Sequence, residues 1–294
     1  MRVTRLIWSM LLSAPALMTP LSAGAVDFTC WSPGGALLAG AAGGYWTAER
    51  IANAIPFGET ISRGEGGLSE QRRSLKDTDA ERAPINEAPY KFGGKLLFTL
   101  GGVDYTASAQ FVADDRIVMG AAHSAWGNGN QATNIRFYQG YAGGGGTLYQ
   151  IDRVAVLLRW TEVSGNPPSM ARSQFDYSVM RTTQASAVGK YELGIDGAHV
   201  DDNVTITGYP GRLDGGEYMY RETARIAVQA GTAYEAGPHP MYGGGASGGA
   251  WFVTANNVHK AVSVVSGGAP DGVYGPSFTQ DTADLIAIVK NGCP

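Results

Sequence analysis

Residues 243–252 read GGGASGGAWF. A serine among glycines is in most chains a flexible turn. Here a strand-like run, AWFVTA at 250–255, follows at once, so the stretch reads as a structured site rather than a linker. Glycines let the main chain turn sharply and aim several N–H groups at one point, where negative charge developing on an oxygen can be held. Ser247 is therefore a candidate nucleophile, and a nucleophilic serine needs a base within reach.

The same residues also satisfy G-x-S-x-G, the serine elbow of α/β-hydrolases. That architecture places its acid and then its histidine after the serine. Only 47 residues follow Ser247, and their single histidine, His259, stands 12 positions on, directly after a strand. The remaining βα units do not fit, so the base is sought upstream. His123 closes RIVMGAAH at 116–123, where an apolar strand runs into small residues that would admit the ring to a tight cleft. His199 lies in a polar stretch, His239 between two prolines and His259 next to Lys260, and these three read as surface or loop residues. An acid must then fix the imidazole tautomer. Asp176 opens DYSVMRT, and an aspartate at the lip of a buried strand is unfavourable without a partner. Asp104, Asp115 and Asp152 are less constrained alternatives. The resulting chain order is His, Asp, Ser, one of the known orders of a serine triad.

The rest of the chain supplies the setting. It has 294 residues, 44% hydrophobic, 16% charged and 42 of them glycine, which fits a turn-rich globular protein and excludes disorder and coiled coil. From residue 90 onward, short β-rich runs alternate with Gly, Asn, Asp and Pro clusters: KLLFTL, DYTASAQFVA, RIVMGAA, IRFYQGY, RVAVLLRW, DYSVMRT, VTITGY, ARIAVQA, AWFVTA and KAVSVVSG. That spacing predicts an all-β sandwich or barrel. A final run at 281–290 predicts a helix capped by Asp281 or Thr282, with Leu285, Ile286 and Val289 inward.

Residues 1–25 read as a secretory signal: Arg2 and Arg5, an apolar core, and an Ala23-Gly24-Ala25 cleavage site. The protein is thus expected to be secreted, extracellular or periplasmic. Without those two arginines the chain carries 20 Lys+Arg against 26 Asp+Glu, a net −6, which argues against nucleic acid or an anionic membrane as partner. Residues 26–89 read as an N-terminal extension or pro-segment, with a short helix at 46–57 capped by Thr47, ahead of a main domain at 90–294. The two cysteines, Cys30 and Cys293, are expected to pair and to staple the chain ends together. Two cysteines are too few for a zinc site and nothing matches an EF-hand, so no metal or cofactor is expected.

These motifs resemble the secreted bacterial and fungal trypsin-like serine peptidases, in the branch that includes the glutamyl endopeptidases. RIVMGAAH looks like the family's hydrophobic-TAAH motif, FDYSVMRT like its acid strand, and GGASGGAWF like its GGSSGGPW nucleophile loop. ITGYP at 206–210 and GGYWTAERIANAIPF at 43–57 are similar to two further family segments. The resemblance implies two six-stranded antiparallel barrels with the active site between them. It implies a serine endopeptidase acting on polypeptides, with His123, Asp176 and Ser247 as triad and the N–H groups of Gly245 and Ser247 as oxyanion hole. A monomer is expected.

By the same resemblance, Met241 and Tyr242 form one wall of the specificity pocket, and Val265, Ser266, Gly268 and Gly272 the other. Trypsin-like members carry an acid where Met241 stands, and glutamyl endopeptidases a His where Val265 stands. Uncharged, medium-sized apolar side chains are therefore the expected preference. Ser124 and Thr106 stand where relatives pair cysteines. Ala246 stands where digestive relatives have the Asp that pairs with a new N-terminal amine on activation, so that ion pair is not available here. The alternative from another class is a catalytically silent relative serving as a binding or adhesion module; the complete triad argues against it.

Overall fold

The computed structural model describes residues 26–34, 44–58, 80–162, 169–238, 243–269 and 272–294. Six strands form the first half: β1 (Gly93–Leu100), β2 (Val103–Phe111), β3 (Ile117–Gly120), β4 (Thr133–Ala142), β5 (Gly145–Leu157) and β6 (Ser178–Thr182). They pair antiparallel in the order β1-β2-β3-β6-β5-β4, and β4 returns to β1. The ring is closed, so these strands leave no free edge. Leu96, Phe98, Phe111, Val118, Phe137 and Met180 fill its interior.

Six more strands form the second half: β7 (Asn203–Gly208), β8 (Tyr220–Ala230), β9 (Ala233–Gly237), β10 (Ala250–Ala255), β11 (Val258–Val264) and β12 (Gly272–Pro276). They repeat the first connectivity as β7-β8-β9-β12, with β10 joining β7 to β11. The circuit between β11 and β12 runs through Gly267–Ala269, which continues from β11 and pairs with β12. Ile206, Ile226, Tyr234, Trp251 and Val273 lie in this second core. The architecture is the all-β, two-barrel one expected, with a C-terminal helix at Gln280–Lys290.

That helix follows the second barrel but packs back on β5, β6 and β3 of the first. Its Leu285, Ile286 and Val289 are buried as expected, in a core that holds Ile117, Met119 and Val179 from one barrel and Phe252 and Val264 from the other. The cap is Thr279 rather than Asp281 or Thr282. Thr279 forms a reciprocal capping box with Thr282, whose hydroxyl accepts from the Thr279 N–H at 3.1 Å.

Two other expectations shift locally. The run RVAVLLRW is not one strand: β5 ends at Leu157, and Leu158–Glu162 turns into a helix that buries Trp160 against the first core. The indole of Trp160 donates to the Trp126 carbonyl at 3.0 Å, a bond that a continued strand could not make. At the N-terminal side, Thr47 does cap a helix, accepting from the Arg50 N–H at 3.2 Å, but the helix spans only Ala48–Asn53. Pro56 has no N–H to extend it, and Ile55–Pro56 runs instead as a strand parallel to β2.

Residues 26–89, read as an extension or pro-segment, contribute to both sheets. Phe28–Trp31 pairs with β5, Ile55–Pro56 with β2 and Glu81–Arg82 with β8. The expected leader at 1–25 and most of the polar stretch after Gly58 lie outside the described residues. A disulfide joins Cys30 to Cys293 across 263 positions of sequence. Among the described residues no helix is long and apolar enough to cross a membrane.

Candidate active site

The pairing of β3 with β6 sets the candidate base beside the candidate acid. Ser178 lies opposite Gly120 in the ladder, so Asp176, two residues before Ser178, comes alongside His123, three residues after Gly120. Asp176 is 2% exposed, a burial that an ionised carboxylate tolerates only with full hydrogen bonding. It has that. Oδ1 accepts the His123 main-chain N–H at 2.9 Å, and Oδ2 faces His123 Nδ1 at 2.7 Å. Oδ2 also accepts from the Ser266 hydroxyl, whose oxygen lies 2.9 Å from Ser173 Oγ. Burial pushes this carboxyl up, but His123 and the hydrogen bonds from His123 and Ser266 outweigh it and hold the group below its usual range. With Nδ1 bound to the carboxylate, Nε2 is the ring atom left to move a proton.

The loop that carries Ser247, the candidate nucleophile, belongs to the second barrel and is stitched to the first. Ser108 of β2 donates its N–H to the Ser247 carbonyl (2.8 Å) and its hydroxyl to the Gly245 carbonyl (2.8 Å). The same hydroxyl accepts from the Tyr209 N–H at 2.9 Å. Gly248 has φ +81°, and a Cβ there would stand 2.4 Å from the Ser108 carbonyl oxygen and 2.7 Å from the Ala121 nitrogen. Only glycine permits that approach, which brings the loop against the chain two residues ahead of His123. Ser247 is 8% exposed. Among the described residues no hydrogen bond joins its hydroxyl to His123, and none engages its N–H. The Gly245 N–H is engaged: it donates to the Phe57 carbonyl at 3.0 Å.

The pocket residues separate into three groups. Met241 and Tyr242 lie outside the described residues. Val265 is buried and its main chain ties the loop down, accepting from Gly248 N–H and donating to the Gly249 carbonyl. The hydroxyl of Ser266 donates to Asp176. Gly268 and Gly272 sit on the hairpin of Gly267–Ala269 with β12, where a Cβ on Gly272 would stand 3.2 Å from Glu235 Oε1. Glu235 also lines a cavity of about 260 Å³ with Arg225, Ala227, Ala236, Gly237 and Gly272.

The competing acids and histidines are occupied elsewhere. Asp104 pairs with Arg50, Asp152 with Arg181 and Asp115 with Lys190. His259 Nδ1 lies 2.9 Å from Thr254 Oγ1, and His199 is exposed beside Asp202; His239 lies outside the described residues. Sequence reasoning missed Ser108, Ser173 and Phe57. Ser108 left a signal, a polar residue in the middle of an apolar strand, which must find a partner when buried.

No protein-family model matches this chain, and no curated protein does. Solved structures do. Protease Anisep from Arthrobacter nicotinovorans is 23% identical, covering 71% of this chain and 99% of its own, with a TM-score of 0.58. A Glu endopeptidase is 16% identical over 74% of this chain and 99% of its own, TM-score 0.61. A scabies mite inactivated protease paralogue, S-D1, is 15% identical over 73% and 97%, TM-score 0.55. The fold is that of the chymotrypsin-like serine proteases. The neighbours include a Glu endopeptidase, from the branch whose motifs the sequence resembles.

Proposed function

We propose that this chain is a secreted serine endopeptidase that hydrolyses peptide bonds through an acyl-enzyme on Ser247. Ser247 Oγ attacks the scissile carbonyl carbon while His123 Nε2 takes its proton. His123 then returns that proton to the leaving amine, and water repeats the sequence to release the acid. Asp176 holds the ring and stabilises the imidazolium. The Ser247 N–H, joined by the Gly245 N–H once that is released from the Phe57 carbonyl, holds the oxyanion. The observation that carries this reading is the two-point hold of Asp176 on His123, with the nucleophile loop stitched against the same strand ends. A fluorophosphonate probe should label wild type and not Ser247→Ala, and casein hydrolysis should follow the same pattern.

A catalytically silent binding module is the second reading. The engaged Gly245 N–H and the shared fold of an inactivated paralogue favour it. Absence of both labelling and hydrolysis, in the wild type and in a folded variant that releases the Gly245 N–H alike, would select it.

For substrates we propose polypeptides, cleaved by a monomer after uncharged, medium-sized apolar side chains. The buried, uncharged Val265, standing where glutamyl endopeptidases carry a His, supports this. A peptide-library profile tests it: cleavage after Arg or Lys would instead assign the Glu235 carboxylate beside Gly272 to the substrate's charge.

A further inference from the structure

The segment that reaches the cleft from the N-terminal side is anchored along its length. Tyr45 donates its hydroxyl to Asp104 at 2.7 Å, and Trp46 donates Nε1–H to the Asn134 carbonyl at 2.6 Å. Arg50 pairs with Asp104 at 2.7 Å. The chain then lies along β2 at Ile55–Pro56 and delivers Phe57 to the active site. The Phe57 N–H donates to the Thr106 carbonyl in the first barrel at 2.8 Å, and its carbonyl accepts from Gly245 in the second at 3.0 Å. The main chain of one residue therefore spans the cleft. Its ring stacks on His123, with centroids 5.4 Å apart and planes 15° from parallel, and packs on Tyr105 at 4.9 Å and Phe98 at 5.5 Å.

We infer that residues 55–58 are a built-in inhibitor, with Phe57 occupying the ground that a substrate and its oxyanion must take. The inference rests on Ser247 being the nucleophile. A backbone N–H bonded to one acceptor at 3.0 Å has no second strong bond to give. An oxyanion formed on Ser247 would meet a single donor, and would face the Phe57 oxygen where the second donor should be. Loss of one such donor lowers turnover by about 10²- to 10³-fold.

The His123–Asp176 pair is already assembled beneath the ring, so the device lies over a formed base–acid pair. Upstream, the segment is fastened by the pairing of Phe28–Trp31 with β5 and by Cys30–Cys293. Downstream, it is fastened by Glu81–Arg82 on β8. The inhibitor thus stays on the molecule and competes with substrate at high local concentration.

The test compares the full-length wild type with Phe57→Ala, Asp104→Asn and Ser247→Ala, by rate of fluorophosphonate labelling and by peptide hydrolysis. Phe57→Ala should react at least about tenfold faster than wild type, because losing the ring contacts with His123, Tyr105 and Phe98 loosens the segment whose main-chain carbonyl holds the Gly245 N–H. Asp104→Asn, which loosens the anchor away from the cleft, should react a few-fold faster, and Ser247→Ala not at all. If Phe57→Ala fails to fold, Asp104→Asn decides alone. A reactive wild type with neither variant faster overturns the inhibitor and leaves the nucleophile standing. No reaction in any folded variant overturns the nucleophile, and the inhibitor with it.

Discussion

The Asp176 carboxylate grips His123 at two points, taking the main-chain N–H on Oδ1 at 2.9 Å and facing Nδ1 with Oδ2 at 2.7 Å. One contact would fix a distance; two fix the plane of the carboxylate against the ring. An amide in its place could offer an N–H to Nδ1 and so favour the wrong tautomer. Asp176→Asn should therefore lower kcat by about 10⁴-fold with a small change in KM, the size seen for this triad chemistry in general. His123→Ala and Ser247→Ala should each lose about as much, and the double variant little more, because the residues act as one unit. Steady-state kinetics check this, and near-normal turnover in Asp176→Asn would remove Asp176 from the acid's role.

The same carboxylate makes stability depend on pH. Its folded-state pKa lies below the unfolded value, so its contribution is complete above the unfolded value of about 3.9 and is lost as pH falls through the folded one. The gap in urea midpoint between wild type and Asp176→Asn should be constant from pH 7 to about 5 and should shift against wild type below about 4. A gap independent of pH down to about 2 contradicts the lowered pKa.

Ser108 should matter to the nucleophile loop although it touches no substrate. Ser108→Ala removes the donor to the Gly245 carbonyl and the acceptor for Tyr209 N–H, leaving two buried main-chain groups unpaired. A loss of about 2–6 kcal/mol in stability is expected, at about 1–3 kcal/mol per unsatisfied group. Fluorophosphonate labelling should slow as the loop loosens. Chemical denaturation and labelling of one preparation measure both.

Cys30→Ser should leave the fold intact and lower its stability. Closing a loop across 263 positions restricts the unfolded chain by up to about 5 kcal/mol in the chain-entropy account. Non-reducing peptide maps should recover Cys30 linked to Cys293 in wild type. Two free thiols there would contradict the bridge.

How much was legible in the sequence depended on where the information sits. Ten strand runs from KLLFTL to KAVSVVSG announced themselves, because alternation and β-branched residues are local signals. β9 (AYEAG) and β12 (GVYGP) did not, since small residues and glycine carry no strand signal; pairing with long neighbours makes them strands. The repeat of strand order between the halves was hidden for a related reason: the main chain sets pairing, and the two cores are packed with different side chains. Asp176 could be singled out because a charged residue on a buried strand needs a partner. The bond from Ser266 to that acid could not, because it joins residues 90 apart. Nor could the place of Phe57, since Ile55–Pro56 is a strand only because β2 lies beside it.

The C-terminal helix, crossing from the second barrel to pack on the first, ties the melting of one half to the other. Leu285, Ile286 and Val289 cannot leave their places without exposing Ile117 and Val179 on one side and Phe252 and Val264 on the other. The molecule should unfold as one cooperative unit, with calorimetric and van't Hoff enthalpies in agreement despite its two barrels. For the peptidase proposed here, this sets its own lifetime. Its copies find no half-opened neighbour to cut, and survival is governed by the rate at which the whole structure opens.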